Sequence, residues 1–225
     1  MSAAIVAAAL VPATPLSAAV ACAGGYLVGA LPIAWLLVRQ RRGTDLREHG
    51  GTGAIDALRA AGPRIAIVAG LGELVKGGVV GLAAVLLGGH TDWFTASAIA
   101  GCVAGDAFPV GFRRGGRGLA PLISGLLVAL PVAGLLCAVI AVPVALFSRM
   151  RGSVYELAVI VAVPLGLMIG TLDWRSLAPA GAMVVVLVVR SRLRRAARVR
   201  ASVTAPRNAT IVDQPATPPS DRQEP

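Results

Sequence analysis

The sequence predicts an all-α fold: a polytopic integral membrane helix bundle of about seven transmembrane helices, N-terminus out and C-terminus in. Three observations predict it. The 225 residues are 56% hydrophobic and 14% charged, too little polar surface to cover a water-soluble globule. Apolar runs of about 20 residues, the length that crosses a ~30 Å hydrocarbon core, recur along the chain. Nearly all of the twenty arginines stand in the short gaps between those runs, beside a single lysine, Lys76.

The spans follow in order. Ala18 to Val38, Ile65 to Gly88 and Thr95 to Phe112 each read as one crossing. Leu119 to Phe147 is too long for one and is interrupted by Pro131. It divides into a short span ending near Leu130 and another from Val132 to Ser148. Val154 to Thr171 and Leu177 to Val189 complete the seven.

Orientation comes from the gaps. Arg39, Arg41, Arg42, Arg47, Arg59 and Arg64 fill the first, Arg113, Arg114 and Arg117 the third, Arg149 and Arg151 the fifth, and a basic run from Arg190 to Arg200 follows the last span. The alternate gaps hold His90, Thr91 and Asp92, then Asp173, Trp174 and Arg175. Basic loops face the cytoplasm, so this alternation fixes the termini and is self-consistent for seven crossings. Residues 1–17 are an N-terminal extension without the basic start of a cleaved signal peptide. The membrane domain covers 18–195, and 196–225 ends in a Pro-, Thr- and Ser-rich stretch expected to be disordered in the cytoplasm.

The net charge of +10 belongs to this membrane pattern and points to anionic lipid headgroups or phosphorylated substrates, not to nucleic acid. Cys22, Cys102 and Cys137 lie apart inside apolar runs and read as small hydrophobes. His49 and His90 have no second nitrogen or sulfur ligand at metal-binding spacing, so neither a metal nor another cofactor is expected.

Two cytoplasmic gaps carry candidate chemistry. In the first, Arg47 is followed by Gly50, Gly51, Thr52 and Gly53, and then by Arg59. Glycines let backbone N–H groups approach an anion, and an arginine offers a fork that matches phosphate oxygens. A simple turn between helices explains the same glycines. The other gap repeats the pattern with Phe108, Pro109, Arg114, Gly115, Gly116, Arg117 and Gly118. Topology alone requires its arginines but not its glycines. Between the two gaps, Glu73 and Lys76 stand three residues apart inside an apolar helix, where a charged pair either braces helices or serves a site.

These residues, taken in order, resemble a known family. G-Y-L-V-G-A-L-P in the first span, D-L-R-E-H-G with its Gly/Thr turn and Arg59, G-E-L-V-K-G in the second span, and F-P-V followed by R-G-G-R-G are similar to the bacterial acyl-phosphate:glycerol-3-phosphate acyltransferases of the PlsY type. The resemblance runs from about Gly25 to about Arg195. It implies a membrane acyltransferase of phospholipid biosynthesis in the bacterial plasma membrane. Such an enzyme moves an acyl group from acyl phosphate to glycerol 3-phosphate, without metal or coenzyme, and yields lysophosphatidic acid. Membrane lipids are its other partners. The same resemblance makes Arg47, Arg59, Lys76, Arg114, Arg117 and Arg190 phosphate holders and Gly115 and Gly116 backbone donors. Gly50, Thr52, Gly53, Phe108, Pro109 and Gly118 complete the matched motifs. No protein group is assigned as catalyst, since a substrate phosphate oxygen can take the proton.

Three departures stand out. Asp56 replaces a motif asparagine, Asp106 replaces a motif histidine, and only Arg190, Ser191, Arg192 and the following basic run remain of the last motif. An ionised aspartate can only accept hydrogen bonds and repels phosphate. Asp106 is therefore expected to be neutralised by Arg113, Arg114 or Arg117, native turnover to be weak, and Asp106→His to raise it. The second reading is a catalytically weak or inactive paralogue that binds phospholipid or partner enzymes in the membrane.

Overall fold

The computed structural model describes residues 11, 12, 14–43, 45, 46, 53–88, 92–112, 115–147, 161–163, 165–167, 169 and 174–204. Among them the regular structure is helical throughout.

α1 runs from Pro15 to Gly29. Thr14 Oγ1 accepts from the Ser17 N–H at 3.2 Å, Ser17 Oγ accepts from the Thr14 N–H at 2.9 Å, and Pro15 opens the first turn. This reciprocal cap satisfies donors that a helix start leaves unpaired. Pro32 then divides the expected first span. It has no N–H and disfavours helical geometry at Leu31, so the chain breaks and restarts as α2, Ile33–Arg42. Arg39, Arg41 and Arg42 occupy the last turn of α2, where cations complement the helix dipole, and Gly43 closes it in the left-handed region at φ 66°.

The first gap between the expected spans contains a helix that the sequence reading omits: α3, Ala54–Ala61. α4, Pro63–Gly88, has 26 residues, about 39 Å at 1.5 Å per residue. α5, Asp92–Ala107, ends five residues before the expected boundary because Pro109 cannot continue a helix. α6, Leu119–Ala129, and α7, Pro131–Phe147, meet at the expected break, with Pro131 as the first residue of α7. Residues 161–163, 165–167 and 169 are helical, and a single 3₁₀ turn, Trp174–Ser176, leads into α8, Leu177–Thr204. The basic run therefore continues the last helix through 204, and residues 196–204 of the expected tail are helical. The rest of the tail, and most of the span expected over Val154 to Thr171, lie outside the described residues.

Small residues decide how the helices meet. α1 packs chiefly on α5, and α4 on α6. Gly25 and Gly29 lie against the backbone of Ala98 and Cys102, and in return a Cβ on Gly101 would fall on the Cys22 carbonyl and one on Gly105 on the Tyr26 carbonyl. Gly77 and Gly81 approach Pro121 and Gly125 of α6 in the same way. Close backbone approach of this kind is how helices associate where lipid removes the hydrophobic drive between them. A core of Ile99, Val103, Leu122, Leu126, Met183 and Leu187 joins α5, α6 and α8. Outward positions are apolar too, with Leu27, Ile67, Val75, Leu86, Val139 and Val185 exposed. The stretches Pro15–Arg42, Pro63–Gly88 and Trp174–Ala197 are long and apolar enough to cross a membrane.

Candidate functional site

Charge is gathered at one place in this apolar bundle. Glu73, Lys76, Asp106, Asp56 and Arg190 are all at least nine-tenths buried. The expected i, i+3 pair forms: Lys76 Nζ lies 2.6 Å from Glu73 Oε2. Lys76 also donates to the Gly29 carbonyl at 3.0 Å, the Leu31 carbonyl at 3.1 Å and Asp106 Oδ1 at 3.1 Å. Those three acceptors match the three protons of an ammonium group. Glu73 Oε2 makes the fourth and shortest contact with that nitrogen and is fully enclosed.

The Pro32 break explains part of this cradle. In an unbroken helix the Ile33 N–H would bond the Gly29 carbonyl; here it turns to the Leu31 carbonyl at 3.0 Å. The Gly29 oxygen is left for Lys76.

Asp106, in the last turn of α5, is the second hub. Its Oδ2 accepts from the Gly118 N–H at 2.8 Å and its backbone carbonyl from the Gly116 N–H at 2.7 Å. A Cβ on Gly116 would collide with the Asp106 carboxylate, so this loop requires glycine there. The carboxylate expected to be neutralised by arginine 113, 114 or 117 is held by Lys76, because α4 and α5 bring the two side chains face to face inside the bundle.

α8 secures the other side of the same loop. Arg190 donates from Nε to the Gly116 carbonyl at 3.2 Å and from Nη2 to the Gly115 carbonyl at 2.6 Å. Its guanidinium carbon stands 5.9 Å from the centre of the Phe108 ring. One turn further, Arg194 Nη2 donates to Gly115 at 2.6 Å and to Gly116 at 3.3 Å, and both its terminal nitrogens stand 3.5 Å from Asp56 Oδ2 of α3. Tyr26 of α1 donates to the Phe108 carbonyl at 2.8 Å.

These contacts surround a cavity of about 150 Å³ lined by Gly53, Asp56, Glu73, Asp106, Gly116, Arg117 and Gly118, with Leu119 to Pro121 of α6. Gly53, Gly116, Arg117 and Gly118 thus come together, with Lys76 directly behind the wall. Gly115, Phe108, Pro109 and Arg190 support the loop from outside. The role expected of Gly116 as a phosphate donor meets a correction: its N–H is engaged by Asp106. Lys76 and Arg190 likewise direct the donors described above at protein oxygens. Arg59 is exposed on α3 and does not line the cavity. Arg47, Gly50, Thr52 and Arg114 lie outside the described residues.

Sequence reasoning omitted Arg194. Its signal is the i, i+4 spacing from Arg190, legible only once the basic run is known to be helical. A separate groove of about 580 Å³ between α1, α4 and α5, lined by residues such as Val20, Gly24, Val80, Ala84, Phe94 and Ala98, has no charged lining and suits hydrocarbon.

The family model described as glycerol-3-phosphate acyltransferase matches residues 19–202. Glycerol-3-phosphate acyltransferase 5 of Dehalococcoides mccartyi is 37% identical over 134 residues, 58% of this chain and 57% of that protein. The chain thus spans a little over half the length of that curated relative. The glycerol-3-phosphate acyltransferase of Pseudomonas syringae pv. syringae is 36% identical over 176 residues, covering 74% of this chain and 86% of that one. The crystal structure of PlsY (YgiH), an integral membrane glycerol 3-phosphate acyltransferase, in its glycerol 3-phosphate form, shares the fold with a TM-score of 0.68 at 24% identity, over 82% of this chain and 93% of that one. The chain belongs to the glycerol-3-phosphate acyltransferase family.

Proposed function

We infer that this chain is a multi-pass protein of the bacterial plasma membrane that transfers an acyl group from acyl phosphate to glycerol 3-phosphate, forming lysophosphatidic acid. The observation that carries the reading is the polar cavity, with Arg117 and a braced glycine loop on one side and buried carboxylates on the other. A glycerol hydroxyl oxygen bonds to the acyl carbon, the acyl–phosphate C–O bond breaks, and inorganic phosphate leaves with the hydroxyl proton on one of its oxygens. The chain's contribution is to hold two mutually repelling phosphates in register and to stabilise developing negative charge. Arg117 serves as a phosphate holder there, joined by Arg47 and Arg114 from the cytoplasmic gaps; Arg59, which does not line the cavity, has no part in it. The apolar groove along α1 and α4 offers hydrocarbon a place near the bilayer.

Seven crossings, with the arginine-rich loops cytoplasmic, accompany this reading. The weak- or inactive-paralogue reading loses one of its grounds, since Lys76 and Gly118 account for the Asp106 carboxylate. The direct test is lysophosphatidic acid formation by purified protein given acyl phosphate and glycerol 3-phosphate, with Arg117→Ala alongside. Turnover that Arg117→Ala lowers supports the reading; no product from folded wild-type protein overturns it.

A further inference from the structure

A second polar cavity, of about 440 Å³, lies at the arginine-rich end of the bundle, where the last turn of α2 meets the start of α4. Arg41 and Arg42 of α2, the Gly62–Pro63 corner, and Arg64 and Ile65 of α4 line it. It shares no residue with the cavity beside Arg117, and the two differ in charge. There three carboxylates accompany one arginine; here three arginines meet and no carboxylate lines the wall. Among the described residues no carboxylate pairs with Arg41 or Arg64. Like charges gathered in one concave space repel, and an anion between them relieves that cost. Topology asks for arginines at this end but not for their convergence from two helices. The first turn of α4 adds to the field: the Ala66 N–H reaches back to the Gly62 carbonyl, and the Arg64 and Ile65 N–H groups ahead of it have no acceptor within the helix.

We propose that this pocket seats the phosphate headgroup of an anionic phospholipid. A free phosphate carries the same charge, and the surroundings of the arginines decide between the two. Arg64 heads a stripe at helical spacing, Ile67, Val68, Leu71 and Val75, every member of it apolar and exposed. Acyl chains attached to a phosphate at Arg64 run along that stripe into the bilayer, whereas a soluble anion makes no use of it. Basic pockets between helices at a membrane edge take anionic headgroups in this way, and an arginine fork matches two phosphate oxygens. The pocket also selects among lipids. A choline headgroup brings a cation of its own toward three arginines, and a glycerol headgroup does not. The site is separate from acyl transfer, since neither Arg41 nor Arg64 lines the cavity beside Arg117.

The test is native mass spectrometry of the full chain in detergent, supplied with phosphatidylglycerol and phosphatidylcholine of equal chain length, and it reads the ratio of the two lipids retained. Wild type is expected to favour phosphatidylglycerol by roughly tenfold or more, and Arg41→Gln/Arg64→Gln to bring the ratio close to unity. Both side chains are exposed, so the substitutions leave the core intact. Each protein supplies its own ratio, so a general loss of bound lipid cancels. Arg198→Gln/Arg200→Gln removes the same charge from the end of α8, outside the pocket, and keeps the wild-type ratio. An equal fall in both double variants would mean diffuse attraction to a basic face and overturns the inference. A ratio preserved in Arg41→Gln/Arg64→Gln, or a wild type that retains the two lipids equally, does the same. Inorganic phosphate, added against chloride at matched ionic strength, is expected to leave phosphatidylglycerol bound. Displacement by phosphate but not by chloride would give the pocket to a soluble anion and remove the lipid. None of these readouts depends on turnover, so the acyl-transfer reading stands or falls separately.

Discussion

The Lys76 ammonium nitrogen lies 3.1 Å from Asp106 Oδ1 and so ties the middle of α4 to the end of α5. Four oxygens from three separate chain segments converge on that one nitrogen.

Replacing Lys76 by Met is therefore expected to cost about 3–5 kcal/mol, the penalty for breaking a buried ion pair by removing one partner. Glu73 and Asp106 would then face each other as like charges. The measurement is the thermal unfolding midpoint in detergent, with Glu73→Gln/Lys76→Met as the companion that relieves part of the loss.

Asp106→His is expected to lower both stability and turnover, contrary to the rise that the sequence alone suggests. A neutral imidazole has one acceptor nitrogen and cannot serve Lys76 and the Gly118 N–H together. Side-by-side assays of product formation and thermal midpoint check this, and higher turnover in the variant would contradict it.

Arg190→Ala removes two charged-donor bonds to the Gly115 and Gly116 carbonyls and is expected to cost about 1.5–3 kcal/mol per bond lost. Residues 115–118 should exchange amide hydrogen faster in the variant. Arg194→Ala should do the same more mildly, and pairing it with Asp56→Asn should give a non-additive cycle, since the two share the 3.5 Å contact.

Two glycines of α1 and α5 make a matched control. Gly105→Ala drives a methyl onto the Tyr26 carbonyl and is expected to destabilise by roughly 1–3 kcal/mol. Gly24→Ala meets nothing within 4 Å and is expected to stabilise by roughly 0.5–1 kcal/mol through helix propensity. Equal midpoints for the two variants would refute the close-approach account.

The arginine alternation makes a topological prediction. Single cysteines at Thr91 and Asp173, in a background without Cys22, Cys102 and Cys137, should react with an impermeant thiol reagent added outside intact cells. Labelling that requires permeabilisation would reverse the orientation.

The Pro131 break and the buried Glu73–Lys76 pair were legible in the sequence because each has a local cause. A proline lacks the N–H that continues a helix and fits best in the first turn of a new one, and two opposite charges three residues apart share a helix face. α3 was not legible: eight residues with a glycine at each end read equally well as a turn. The partners of Asp106 were hidden for a different reason. Residues 30 apart meet only because α4 and α5 pack against each other, and charge patterning along the chain has no record of that contact. Arg194 was lost among arginines that topology explains just as well.

The interruption at Pro32 also bears on how the chain enters a bilayer during its synthesis. α1 and α2 emerge first and carry the Gly29 and Leu31 carbonyls, neutral groups that lipid tolerates better than ions. α4 follows with Glu73 and Lys76 already adjacent, so the segment can partition as a net-neutral unit. Asp106 comes last, near the end of α5, and meets an ammonium already in place. In chain order, then, each of these two carboxylates has its ammonium either three residues away or already translated.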